Sequence, residues 1–300
     1  MDELRFDERV AIVTGAGTGL GRAHALLLAS RGAMVVVNDL GCAVDGTGAS
    51  PEPAEAVAKE IRDLGGVAVA DSNTVATTEG GAAMVQRAID EYGRIDMVVN
   101  NAGSLRDKTL QSMTPEMFDD VFAVHLRGAF NVTQPAFKLM REQGYGRIVT
   151  TSSPAGLYGN FGQTNYSSMK MALVGFARTI AVEGGRKNVK ANVISPSAAT
   201  RMTEGLTGEL GRYMDPALVS PVVAWLCHES CPVTGEVFAV GSGRVARVAI
   251  GEPQGFFSRS LTPEDIVENL ETIMDTSNLT FPTDVASAGA LMANALKSLS

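Results

Sequence analysis

Apolar residues fall in short β-branched runs separated by amphipathic stretches from the start of the chain. "RVAIVT" (9–14), "AMVVVN" (33–38), "VAVA" (67–70), "IDMVVN" (95–100), "GRIVTTSS" (146–153), "NVKANVIS" (188–195) and "EVFAV" (236–240) read as buried strands. Helical patterns lie between them at 19–32, 54–66, 80–94, 115–144, 165–185 and 216–230, the fourth expected to bend near Pro135. Parallel strands need crossovers, and the helices supply them. The alternation predicts a Rossmann-type α/β fold, a doubly wound parallel sheet of about seven strands. After residue 242 the pattern breaks. "GSGRVARVAIGEPQGFFSRS" (241–260) reads as irregular or short-strand chain, and 262–274 and 284–299 read as two helices. The expected organisation is a dinucleotide-binding domain over 1–242 and an extension over 243–300 packed on it.

Composition narrows the function classes. The 300 residues are 45% hydrophobic and 19% charged, enough for a sizeable core. A net charge of -8 and a pI near 5.0 argue against nucleic acid as a main partner. Three scattered cysteines make no disulfide framework, so a reducing compartment is expected. No apolar run approaches the ~20 residues of a membrane span. "MDELRFDERV" lacks the regions of a signal peptide, and the final "SLS" is not the peroxisomal address Ser-Lys-Leu. These features lead to the expectation of a cytoplasmic protein.

Three stretches carry chemistry. "TGAGTGLG" (14–21) lies between the first strand and first helix. Its Gly15, Gly17, Gly19 and Gly21 let backbone approach a pyrophosphate at a helix N-terminus. Asp39 ends the second strand, 18 residues past Gly21, where a carboxylate accepts hydrogen bonds from ribose hydroxyls and repels a 2′-phosphate; that predicts NAD over NADP. "NNAG" (100–103) follows the fourth strand, and "NYSSMK" (165–170) sets Tyr166 one helical turn from Lys170, thirteen residues after Ser153.

With all of these in order, the chain resembles the short-chain dehydrogenase/reductase family over about residues 6 to 242. The resemblance implies that Tyr166 is the acid/base and that Lys170 lowers its pKa and holds the nicotinamide ribose. It implies that Ser153 binds the substrate oxygen. It extends the cofactor site to Thr18 and Leu20 beside the glycines, to Asn73, Thr74 and Val75 after the third strand, to Asn101, Ala102 and Gly103, and to Ala198 and Thr200. Asn73 stands where the family usually has Asp. A phenol near pKa ~10 is a poor base until a cation stabilises its phenolate, so the pairing is chemically sensible.

"RGAMVVVNDLG", "YGRIVTTSSPAGLYGNFGQTNYSSMK", "VVAWLCHESC" and, in the tail, "LTPEDIVENL" resemble the dehydrogenase unit of the peroxisomal multifunctional enzymes of type 2. That resemblance implies a (3R)-hydroxyacyl-CoA substrate, with a hydroxysteroid (17β type) as the alternative. It also implies a homodimer or homotetramer built on the 115–134 and 165–182 helices. A nucleotide-binding regulatory protein without turnover is the reading of another class; it has no need of Ser153, Tyr166 and Lys170 together. His125 stands where many family members carry a fourth catalytic residue, an Asn, and reads equally as relay or as structural. "CHESC" (227–231) lacks the four ligands of a structural zinc site, so no metal is expected. Arg106 and Lys108 could meet CoA phosphates or form a solvated turn. The loop 197–215 is expected to cover the substrate.

Overall fold

The computed structural model describes residues 3–201 and 208–297. The first compact unit, Met1–Arg247, is organised around a parallel sheet. Its elements alternate: β1 (Val10–Thr14), α1 (Gly19–Ser30), β2 (Met34–Asn38), α2 (Glu52–Asp63), β3 (Val67–Asp71), α3 (Thr78–Tyr92) and β4 (Met97–Asn100). Then come α4 (Pro115–Phe122), α5 (Gly128–Gln143), β5 (Gly146–Thr151), α6 (Pro154–Tyr158), α7 (Thr164–Gly184), β6 (Val189–Pro196), α8 (Ser220–Cys227), β7 (Val237–Gly241) and β8 (Arg244–Val248). Every residue of β1, β4 and β5 is buried, which is why these strands show no alternation of apolar and polar positions.

The strand order is β3-β2-β1-β4-β5-β6-β7-β8. Chain direction reverses its progress across the sheet between β1 and β4, whose parallel register sets Ala11 beside Met97. A crevice opens there, outside the carboxyl ends of the strands. The stretches singled out in the sequence all follow those ends: Gly15 after β1, Asp39 after β2, Asn101 after β4, Ser153 after β5 and Ala198 after β6. The sheet is thus a ruler that brings five distant segments to one rim.

One expectation is completed and two need correction. The sheet has eight strands and runs past residue 242, because Ser242 and Gly243, both at positive φ, form a two-residue turn that folds β8 back beside β7. Regular helix is interrupted at Ala123–Arg127, a π-helical turn, while Pro135 sits inside α5. The eighth helix is shorter than its apolar pattern; Pro216–Leu218 is a separate 3₁₀ turn. Residues 202–207 of the expected substrate loop lie outside the described residues.

The second unit, Val248–Ser300, carries α9 (Pro263–Glu268), α10 (Leu270–Met274) and α11 (Val285–Lys297). Thr262 and Asp265 close a reciprocal capping box at the start of α9. None of its described residues is buried, so the unit is not built around a core of its own.

Candidate active site

The glycine loop owes its shape to close approaches. Gly15 sits at φ +63, and a Cβ there would stand 2.8 Å from the Ala102 Cα. Thr14 braces the loop from below: its hydroxyl accepts from the Asn101 and Ala102 amides at 3.0 and 3.1 Å. Asn101 returns the bond, its side-chain amide donating to the carbonyls of Thr14 and Gly15. Thr18, the residue before α1, makes no side-chain cap, so the first N–H groups of α1 are open to an anion at the positive end of the helix. Gly21 does not line the cavity. A Cβ there would stand 2.2 Å from the Gly15 carbonyl, so this glycine is a packing position beneath the loop.

Asp39 is buried at the end of β2 and ties two loops together. Its oxygens accept from the amides of Gly17 and Gly41, both at 2.7 Å. Asp71 ends β3 and was not singled out from the sequence. Its carboxylate accepts from the Asn38 side chain at 2.7 Å, and from the Asn73 amide and side chain at 3.0 and 2.8 Å. The Asn73 side-chain amine is therefore committed to Asp71.

The reacting end gathers around α7. Tyr166 and Lys170 share its buried face, but they are not hydrogen bonded to each other. The Lys170 Nζ donates to the Thr151 carbonyl at 2.7 Å and lies 5.4 Å from the centre of the Tyr166 ring. Burial pushes the Lys170 amine down to about 7. Burial pushes the Tyr166 phenol up, and a hydrogen bond with Ser153 pulls it partly back. Ser153 begins α6 and its hydroxyl accepts from the Ala155 amide at 3.2 Å. Asn165, fully buried and also missed in the sequence, anchors the start of α7 by donating to the carbonyls of Arg106 and Met117.

His125 occupies the π-helical turn, edge-on to Tyr166 with ring centres 5.3 Å apart. Its Nε2 lies 2.9 Å from the Ser104 carbonyl oxygen, and its buried Nδ1 has no partner. Burial, helped by the Lys170 charge, pushes it down to about 3, so the ring is neutral. Gly103 makes room for it; a Cβ there would stand 2.6 Å from the imidazole.

These groups line one cavity of about 570 Å³. Gly15, Thr18, Gly19 and Leu20 form one bank, and Asp39, Asn73, Thr74 and Val75 the far end. Asn101, Ala102, Gly103, Ser153, Tyr166, Lys170 and Ala198 line it too, and Thr200 lies beside Gly19. Apart from Gly17, whose amide donates to Asp39, and Gly21, every site residue expected from the sequence is there. A glycine cradle against uncapped helix amides, with a buried carboxylate at one end and a phenol–amine pair at the other, fits a nicotinamide dinucleotide. Among the described residues, Arg106 and Lys108 do not line this cavity, and Cys227 and Cys231 are buried free thiols.

Comparison with known proteins agrees. The family model for short chain dehydrogenase matches residues 9–209. The peroxisomal multifunctional enzyme type 2 of Mus musculus is 47% identical over 284 residues, covering 93% of this chain and 38% of its own length. The structure of full-length peroxisomal multifunctional enzyme type 2 from Drosophila melanogaster superimposes with a TM-score of 0.84 at 40% identity, covering 99% of this chain and 51% of that one. The chain therefore spans about half or less of the length of these relatives. A 7α-hydroxysteroid dehydrogenase solved with NADH and 7-oxo glycochenodeoxycholic acid matches at TM-score 0.73 and 28% identity, covering 81% of this chain and 98% of that one. The cytoplasmic location expected from the sequence is overturned, since relatives this similar, from mouse to Saccharomyces cerevisiae, are named as peroxisomal enzymes. No helix among the described residues is long and apolar enough to cross a membrane. The match over 9–209, together with this cavity, makes the chain an oxidoreductase that uses a nicotinamide cofactor and belongs to the short chain dehydrogenase family.

Proposed function

We propose that this chain interconverts a (3R)-hydroxyacyl-CoA and its 3-ketoacyl-CoA with NAD(H). The observation that carries the chemistry is the convergence of Ser153, Tyr166 and Lys170 at one end of the cavity. The substrate class rests on the identity to the multifunctional enzymes. The preference for NAD rests on Asp39, whose carboxylate stands at the end of β2 in the cavity and would repel a 2′-phosphate.

The bound nicotinamide supplies or accepts the hydride. The protein's share is the proton and the geometry. Tyr166 takes the proton from the 3-hydroxyl in oxidation and returns it in reduction. Ser153, which lines the same end of the cavity and draws the phenol's pKa down, holds the substrate oxygen within reach. Lys170 is fixed by the Thr151 carbonyl 5.4 Å from the Tyr166 ring centre, and its protonated form favours the phenolate. Neutral His125 fills the space behind the tyrosine without adding a second charge.

We infer a homo-oligomer as well. Phe118, Phe130, Met171 and Val182 are exposed on α4, α5 and α7, an apolar surface that association would cover.

Absorbance at 340 nm with NAD tests the reading against (3R)- and (3S)-hydroxyacyl-CoA esters and a set of hydroxysteroids. Faster oxidation of the (3R) ester supports it. Faster oxidation of the (3S) ester removes the handedness, and turnover of steroids alone moves the substrate class.

A further inference from the structure

The connection from β2 to α2 runs from Asn38 to Glu52, where loops of this class need about 2–6 residues. The extra chain is folded on itself. The Ser50 amide donates to the Leu40 carbonyl at 2.9 Å and closes the base; Ala43 and Thr47 pair at 2.9 Å to shape the tip. Gly41 makes the closure possible, at φ +71 and with space for a Cβ only 2.0 Å from the Ser50 carbonyl oxygen. Asp39 fixes the base to the glycine loop by accepting from both Gly41 and Gly17.

The tip reaches the opposite bank of the crevice. The Val44 carbonyl accepts from the Leu105 amide at 3.0 Å, beyond the end of β4. A Cβ built on Gly46 would lie 3.6 Å from the Ser104 Cβ. Between base and tip, Leu40, Cys42, Ala43, Val44 and Gly46 line the cavity that also contains Gly15, Asn101 and Tyr166. The loop therefore spans from the β2 side of the crevice to the β4 side. Its far contact is a backbone hydrogen bond that can break and re-form without repacking a side chain.

We propose that residues 40–50 are a strap that closes over the bound nicotinamide dinucleotide, latched by Val44 and Leu105, so that the cofactor enters and leaves only when the latch opens. The strap rests on the cofactor site alone, not on the identity of the substrate.

The separation of Gly46 and Ser104 suits a disulfide, whose Cβ atoms stand about 3.5–4.5 Å apart. The test is the variant Gly46→Cys with Ser104→Cys, in a Cys42→Ala background that removes the native thiol on the strap. NADH is loaded first, the thiols are oxidised, and thiol titration confirms the bond. Stopped-flow fluorescence then follows NADH release into excess NAD. Release at least tenfold slower in the oxidised protein, recovered on reduction, supports the strap. Equal release in both states overturns it, and so does bound NADH that prevents the disulfide from forming. A second measurement needs no variant. Amide hydrogen exchange of 40–50 and Leu105 in the wild-type protein should slow severalfold on NADH binding; unchanged exchange in the presence of measured binding refutes the latch. Absence of NADH binding altogether would instead remove the cofactor reading on which the strap depends.

Discussion

His24 makes the stability of this fold acid-sensitive by a calculable amount. It sits in α1, fully buried, with Nδ1 2.8 Å from the Ser220 hydroxyl at the start of α8 and Nε2 without a partner. Burial pushes the imidazole down to about 3. An unfolded histidine titrates near ~6.5. Above that pH neither state binds the proton and His24 costs nothing. As the pH falls below it, the unfolded chain takes up a proton that the native protein refuses, and stability declines until the native value is reached. At pH 5 the interval of ~1.5 pH units amounts to about 2 kcal/mol, against a total stability of roughly 5–15 kcal/mol. His24→Asn retains a polar group facing Ser220 and cannot titrate. Urea unfolding at pH 8 and pH 5 measures both proteins. The variant should lose about 2 kcal/mol less than wild type between the two pH values. Equal losses would refute the buried neutral histidine. Any fixed cost of the substitution cancels in the comparison, and His125, shifted for the same reason, contributes to both proteins alike.

Tyr166→Phe keeps the ring against His125 and removes the acid/base, so turnover should fall by about 10²–10⁴ while fluorescence titration shows NADH binding retained. Lys170→Ala should harm turnover and cofactor affinity together; a variant with normal affinity would separate the lysine from the cofactor. Asp39→Ala should narrow the preference for NAD over NADP by at least tenfold in measured dissociation constants, and an unchanged ratio would place the discrimination elsewhere. Light scattering should give a mass of twice or four times the 31.4 kDa chain, and a monomer would contradict the inferred oligomer.

The legible part of the fold was the part where burial is uniform. β1 and β4 are largely apolar because both faces of the sheet are covered, and the glycine and Tyr-x-x-x-Lys stretches follow strand ends by simple chain order. β8 was read only as irregular or short-strand chain because "RVARV" has no buried residue to give it a period. The π-helical turn at His125 escaped because the same letters also suit an unbroken α-helix; only the lost hydrogen-bond register reveals it. Asp71 and Asn165 are invisible for a different reason. Asn165 bonds to Arg106 and Met117, 59 and 48 residues away, and no local pattern encodes such partners. The strap was passed over since Gly, Ser and Pro mark a loop without saying where its tip will land.

The strand order also dictates when the parts of this protein can meet. β1, β2 and β3 are neighbours both in sequence and in the sheet and can pair as they leave the ribosome. The other flank of β1 waits for β4, where the Val10 amide finds the Asp96 carboxylate across 86 residues. Until then "VAIVT" is an open apolar edge, the kind that pairs with other chains. Closing it is also the event that sets Asn101 and Ala102 against Thr14. Competence to hold the cofactor thus cannot precede that pairing, so cofactor uptake during refolding requires it, and nascent chains halted before β4 are the ones most prone to aggregate.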